Sequence, residues 1–377
     1  MRGTAEATPL AAILADRIRS QGPITFAAYM EDCLYHPQHG YYTKADQHPR
    51  RDYFTSVDAR PIFGRLLARQ FCEMWAQLGR PKEFWLVEAG AATGELTKQV
   101  LDCAAESFPD FYGALRYVAV ERSESRRAAL KNLVAPQIRA GRVTAEACLP
   151  ARLPCGCIFS NELLDALPVH RVVRERWNLR EIYVVLGEAG LCEQFGPVSS
   201  PELDGYLSQQ GITLQEGQQT EICLAACRWI EEAGRALERG FVLTIDYGHE
   251  ARELYDERHM RGTLLAYHRH RADEDYFRAP GQQDLTAHVN FTALDLWGRR
   301  AGFVRTGFTS QTNFLLALAR RSDFADLHPE GSTEAEQTRR RLLFKTLIHP
   351  EGMGETFQVF AQHKGIESPR LAGFDPL

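Results

Sequence analysis

Short apolar runs alternate with amphipathic stretches through much of the chain, and that rhythm predicts an α/β protein. The strongest example is Phe84-Trp85-Leu86-Val87-Glu88-Ala89, which reads as a buried strand. A turn bounded by Gly90 and Gly94 follows at once, then a helical pattern with Leu96, Val100, Leu101 and Ala104 on one face. Further strands are expected at Leu115–Val120, near Val143–Ala145, at Cys157–Ser160, Gly240–Ile245, Leu264–His268, Phe303–Phe308 and Thr356–Phe360. Helical spacing covers 10–21, Thr25 to about Leu34, 61–78, 123–134, 219–237, 291–301, 313–320 and 333–348. Between about 170 and 215 the rhythm breaks. Arg171–Arg174 and Glu181–Leu186 read there as antiparallel strands joined by a turn around Asn178, an insertion on the core. The expected organisation is an N-terminal helical lid region over 1–80 and a core over 81–377 that carries this insertion.

Composition narrows the class. The 377 residues carry 44 basic and 49 acidic side chains, a net charge of −5, which argues against a general nucleic-acid or membrane-surface binder. No apolar run approaches the length of a membrane span, and the N-terminus has neither a signal core nor the character of an organelle presequence. The chain reads as a cytoplasmic bacterial protein. Nine scattered cysteines lack the paired spacing of a metal site, so no metal is expected and reduced thiols are.

The chemistry concentrates at strand ends. A strand, a small-residue turn and a helix N-terminus present bare backbone N–H groups to a ligand. Gly90 and Gly94 permit a sharp turn there. The following strand ends in Glu121, placed to accept hydrogen bonds from both hydroxyls of a ribose. Together they point to a nucleoside-containing cofactor. The fourth strand runs into Asn161, Glu162 and Asp165; a helical turn beginning at Asn161 would set both acids on one face. For Asn161 a helix cap is the plainer alternative, and for His249, after the fifth strand, a packed loop histidine. The aromatic, hydroxyl-bearing loops around Tyr35–Tyr42 and Asp52–Asp58 could fold back as a lid, with Ser56 closing on the cofactor.

In order along the chain stand Ile24–Met30, Gly40-Tyr41-Tyr42, Asp52–Ser56, Val87–Gly90, Asn161–His170, Asp246-Tyr247-Gly248-His249, Asp284–Phe291 and His349–Phe357. With these motifs the sequence resembles the MidA-like S-adenosylmethionine-dependent methyltransferases over nearly its whole length. The resemblance implies a seven-stranded, mostly parallel Rossmann-like methyltransferase sheet with an antiparallel edge. It implies S-adenosylmethionine as cofactor, held around Glu88, Gly90, Gly94, Glu121 and Ser56. It also implies methyl transfer to a protein acceptor. Mitochondrial members methylate a protein arginine in assisting respiratory complex I assembly. Because arginine is always protonated, such a site wants carboxylates, and Glu162 and Asp165 with Asn161 are the candidates. Two departures stand out: Ala92 where the family has the middle glycine of its loop, and Gln358 where it often has lysine. The rival readings are a nicotinamide-dependent oxidoreductase, disfavoured because G-x-G-x-x-G is missing, and a non-catalytic assembly protein, favoured only by Ala92. A homodimer is left open.

Overall fold

A computed structural model describes residues 8–43, 62–268, 271–327, 332–349 and 357–377. Ser56, the Asp52–Asp58 segment and most of the 349–357 motif lie outside these residues. The chain forms two compact units, each assembled from separated stretches: 1–53, 164–229 and 248–296 in one, 54–163, 230–247 and 297–377 in the other.

The second unit is built on seven strands: β1 Phe84–Ala89, β2 Leu115–Val120, β3 Val143–Glu146, β4 Gly156–Asn161, β5 Gly240–His249, β6 Val304–Ser310 and β7 Phe357–Lys364. Their spatial order is β3-β2-β1-β4-β5-β7-β6. β3, β2, β1, β4 and β5 are mutually parallel, while β7 runs antiparallel between β5 and β6. This is the mostly parallel seven-stranded sheet expected, with the antiparallel strand one place in from the edge. The order reverses at β1: the chain leaves one way through β2 and β3, then returns to β4 and β5 on the other side. In such sheets the crevice at that reversal, at the carboxyl ends of the strands, is where ligands lie.

Near-continuous apolar runs make the strands because both faces are covered. Phe84, Leu86, Val87, Ile158 and Phe159 are fully buried. On one face the helix Ile62–Gln77 seats Phe63, Leu67, Phe71 and Met74, with the Phe71 and Phe159 ring centroids 4.7 Å apart. The helix Glu95–Ser107 buries Leu96, Val100, Leu101 and Ala104, the face read from the sequence.

The first unit opens with the helices Pro9–Gln21, capped by Thr8, and Phe26–Tyr35, capped by Thr25. Its five-stranded sheet is antiparallel throughout: Ile24–Thr25, Asn178–Gly187, His170–Glu175 and Gln219–Ile222 in that order, with Gly190–Gly196 pairing the second. Segment 170–215 thus supplies three of the five strands. Excising it would remove the body of this unit along with any surface it presents. Arg171, only 4% exposed, sits between the rings of Phe26 and Tyr276, at 5.4 and 5.0 Å, and bonds to Gln219, Glu193 and the Tyr276 hydroxyl. A buried guanidinium is tolerated because its charge is paired and its two terminal nitrogens are bonded, while Nε has no hydrogen-bond partner among the described residues.

One expected element changes type. The helix read over 219–237 begins only at Leu224, and Gln219–Ile222 is a strand. Pairing with His170–Val173 supplies backbone bonds that override local helical spacing.

Candidate active site

The turn after β1 is shaped by three residues at positive φ: Gly90 at 79°, Ala92 at 47° and Gly94 at 85°. The N–H groups of Gly90 and Ala91 both donate to Val120 O at 2.9 Å, fastening the turn to the end of β2. The Ala92 N–H donates to Glu121 Oε2 at 3.0 Å, and the Ser123 N–H to Oε1 at 2.7 Å. Glu121 is thus a tether for the turn as well as an acid at a strand end. Burial raises its pKa, opposed by the Ser123 and Ala92 bonds and the charges of Arg126 and Arg127. A carboxylate offers about four acceptor positions, and these two bonds leave room for two ribose hydroxyls.

The glycines have separate reasons. A Cβ on Gly94 would stand 2.8 Å from Leu130 Cγ, and one on Gly90 3.0 Å from Leu163 Cδ1. Gly94 therefore lets the helix Glu124–Leu133 pack against the turn, in addition to supplying the left-handed start of Glu95–Ser107. Ala92 holds its left-handed conformation at a cost of about 1–2 kcal/mol. Ala92→Gly is expected to stabilise the protein by about 0.5–1 kcal/mol, the relieved strain less the extra chain entropy. Thermal melts check this; a less stable glycine variant would show that the alanine methyl packs favourably.

Glu88 lies beneath the turn, 3% exposed. The hydroxyls of Thr97 and Tyr117 both donate to its Oε2 at 2.5 Å, tying β1 to the helix and to β2. Burial pushes its pKa up to about 7, the two hydroxyls pull it down and the Glu121 charge adds to the rise. The folded-state value stands above the unfolded one, so the native state binds this proton more tightly. Its contribution to stability is complete below about pH 4.5 and is lost as pH rises through 7. Glu88→Gln should remove that dependence. Melting temperatures of wild type should therefore fall relative to the variant between about pH 4.5 and 7, the window spanned by the shift, and run parallel to it above. Parallel curves within that window would refute the assignment.

Beyond β4 the chain takes a course the sequence did not predict. No helical turn starts at Asn161: the strand ends there and Glu162 adopts φ 53°. The Glu162 N–H donates to Ile245 O at 3.0 Å, and the Leu163 N–H to Asp246 Oδ2 at 3.2 Å. Asp246 is fully buried and its Oδ1 accepts its own neighbour's N–H, from Tyr247, at 3.0 Å. β5 thus clamps the chain leaving β4 and imposes the left-handed residue. Helical spacing consequently does not put Glu162 and Asp165 on one face. Asn161 is not a helix cap either; its Nδ2 donates to Glu162 Oε1 at 3.1 Å. Its Oδ1 is buried with no hydrogen-bond partner among the described residues, an acceptor suited to a ligand N–H.

Asp165 belongs to the other unit. It is 4% exposed, its backbone oxygen accepts the Ala287 N–H at 3.0 Å, and after burial its charge and that of Asp284 raise the Tyr267 pKa. In the same unit His249 lies 3.3 Å from Glu253. The structure thus brings Glu88, Gly90, Gly94 and Glu121 together at the end of β1 and β2, and Asn161 and Glu162 at the end of β4. Ser56 falls outside the described residues. Sequence reading placed Asp246 in a motif but gave it no role, although it follows the apolar run Gly240–Ile245 as Glu121 follows Leu115–Val120. No cysteine is bridged, and among the described residues no group of His, Cys, Asp or Glu is arranged to hold a metal.

Comparison with known proteins gives a consistent picture. The family described as "Putative S-adenosyl-L-methionine-dependent methyltransferase" matches residues 66–309. The human mitochondrial protein arginine methyltransferase NDUFAF7 is 28% identical, over 96% of this chain and 86% of its own length. Its rat counterpart is 27% identical, over 94% and 84%. A Burkholderia thailandensis protein solved with S-adenosyl-homocysteine bound is 31% identical, with a TM-score of 0.85 over 99% of this chain and 98% of that one.

Proposed function

The chain belongs to this S-adenosyl-L-methionine-dependent methyltransferase family, and from that premise we propose that its acceptor is an arginine side chain of a protein. What carries the proposal is the near-full-length similarity to arginine methyltransferases. A buried Asn161 Oδ1 without a hydrogen-bond partner among the described residues, and the adjacent Glu162 carboxylate at the end of β4, support it. The resemblance extends the reading to a link with respiratory-complex assembly.

Bound S-adenosylmethionine supplies an electrophilic methyl group on a sulfonium, and in-line transfer depends mainly on positioning. Glu121 would hold the ribose hydroxyls while fixing the turn through the Ala92 N–H. Glu88 would act on the same turn from beneath, through Thr97 and Tyr117. Asn161 Oδ1 would accept an N–H from the acceptor or the cofactor. Glu162 would hold the guanidinium and offset its charge. Asp165 is proposed as a second acid for a cationic acceptor. The 170–215 segment is proposed to contact the acceptor protein.

The test is labelled S-adenosylmethionine in lysate of cells lacking this protein, followed by mass spectrometry of the labelled peptide. Methyl on arginine nitrogen is the expected result. Methyl on another residue type, or transfer to no protein, would overturn it.

A further inference from the structure

Arg176 and Trp177 alone join the strands His170–Glu175 and Asn178–Gly187, whose facing ends pair Glu175 with Asn178. Both loop residues are left-handed, at φ 51° and 66°. A two-residue hairpin loop of that shape favours asparagine and glycine, because the Cβ of any other residue crowds the backbone there. Burial does not offset the strain. Trp177 is 78% exposed, more than any other large apolar side chain among the described residues.

A second stretch of chain nevertheless fixes this turn. Glu216 accepts the Arg176 N–H on Oε1 at 2.6 Å and the Trp177 N–H on Oε2 at 3.2 Å. At the root of the hairpin the Gly217 N–H donates to Arg174 O at 2.8 Å, and the Arg174 N–H to Gln218 O at 3.0 Å. The Arg174 guanidinium lies 5.5 Å from the indole centroid, which favours one setting of the ring.

The carboxylates nearby are already engaged. Glu216 serves the two backbone N–H groups, and Glu175 lies 3.9 Å from Arg180. Arg174 and Arg176 form no ion pair among the described residues, so the tip offers an exposed ring flanked by two cations. A pre-set tryptophan beside arginine has the make-up of an interface hot spot, and its charge calls for an acidic partner. The chain's net charge of −5 and the single ring at the tip favour a protein over an anionic lipid surface.

We propose that Arg176 and Trp177 form the tip by which the first unit holds the acceptor protein, whose surface provides an apolar socket for the indole edged by carboxylates. The inference rests on the reading that segment 170–215 contacts the acceptor. All the residues it uses lie in one unit, and it assigns them affinity for the acceptor and no part in the methyl-transfer step.

The experiment uses the full chain with Trp177→Gly and Arg176→Glu, and as acceptor the purified lysate protein that takes label from S-adenosylmethionine. Glycine relieves the left-handed strain, so Trp177→Gly should melt no lower than wild type. It should nevertheless raise KM for that protein about 30-fold, the scale of losing an aromatic hot spot, with kcat and S-adenosylmethionine affinity within about twofold. Arg176→Glu should raise KM as well, and the wild-type KM should climb with salt as the charges are screened. On a short peptide around the methylated residue, which lacks the socket, all three proteins should share one KM. An unchanged KM in folded Trp177→Gly, or an equal rise on the short peptide, would overturn the proposal. So would binding to phosphatidylglycerol vesicles that Trp177→Gly abolishes, which would make the tip a lipid contact. Should the glycine variant fail to fold, an unchanged KM in Arg176→Glu overturns it instead. Label on an atom other than arginine nitrogen defeats the arginine reading alone, and the same KM comparison on that protein still decides the role of the tip. Label on no protein defeats both.

Discussion

Glu162→Gln is expected to lower methyl transfer by about two orders of magnitude while leaving S-adenosylmethionine affinity near that of wild type. Glutamine preserves the volume and an acceptor for Asn161 Nδ2, so the change is mainly one of charge. Its backbone demand is the same as glutamate's, and the clamp from Ile245 and Asp246 acts on the main chain, so the φ of 53° should persist. A guanidinium facing an amide loses its ionic partner, and orientation of the attacking nitrogen goes with it. Initial rates on the labelled acceptor, with calorimetry of cofactor binding, decide the matter. A wild-type rate would leave Glu162 as the residue that merely turns the chain out of β4.

Glu121→Ala should cost more than about 3 kcal/mol of S-adenosylmethionine affinity, the lower end for two hydrogen bonds from ribose hydroxyls to a carboxylate. The effect should exceed what the ribose alone explains, because the Ala92 and Ser123 N–H groups lose their acceptor as well. Ala92 sits in a left-handed conformation, so without the tether its turn has reason to relax. Glu121→Gln retains one carbonyl acceptor and should fall between the two. Calorimetry that finds the alanine variant within about twofold of wild type would take Glu121 out of the site.

Much of the sheet and the outline of its ligand end could be read directly from the sequence. Apolar runs such as Phe84–Ala89 and Gly156–Asn161 are buried on both sides, and only strand-like segments of that length satisfy such burial. The Leu96–Ala104 face, the helix start at Thr25, and an acid at the end of β2 are local properties, set by spacing and side-chain chemistry within a few residues. Helix periodicity and strand alternation carry that information without reference to the rest of the chain.

What only the tertiary structure decided are the contacts that depend on distant partners. Gly94 answers to Leu130, and Gln219–Ile222 becomes a strand because His170–Val173 is there to pair with it. Glu162 is left-handed where Ile245 O and Asp246 Oδ2, on the neighbouring strand, hold the N–H groups of Glu162 and Leu163. His249, His259 and His288 span 40 residues of sequence, with no periodicity linking them, and meet only once β5 has paired with Val289–Asn290. Local pattern settles which faces are apolar. Where buried backbone donors and acceptors must all be paired, the partner is whichever strand the fold brings alongside, and the sequence does not number it.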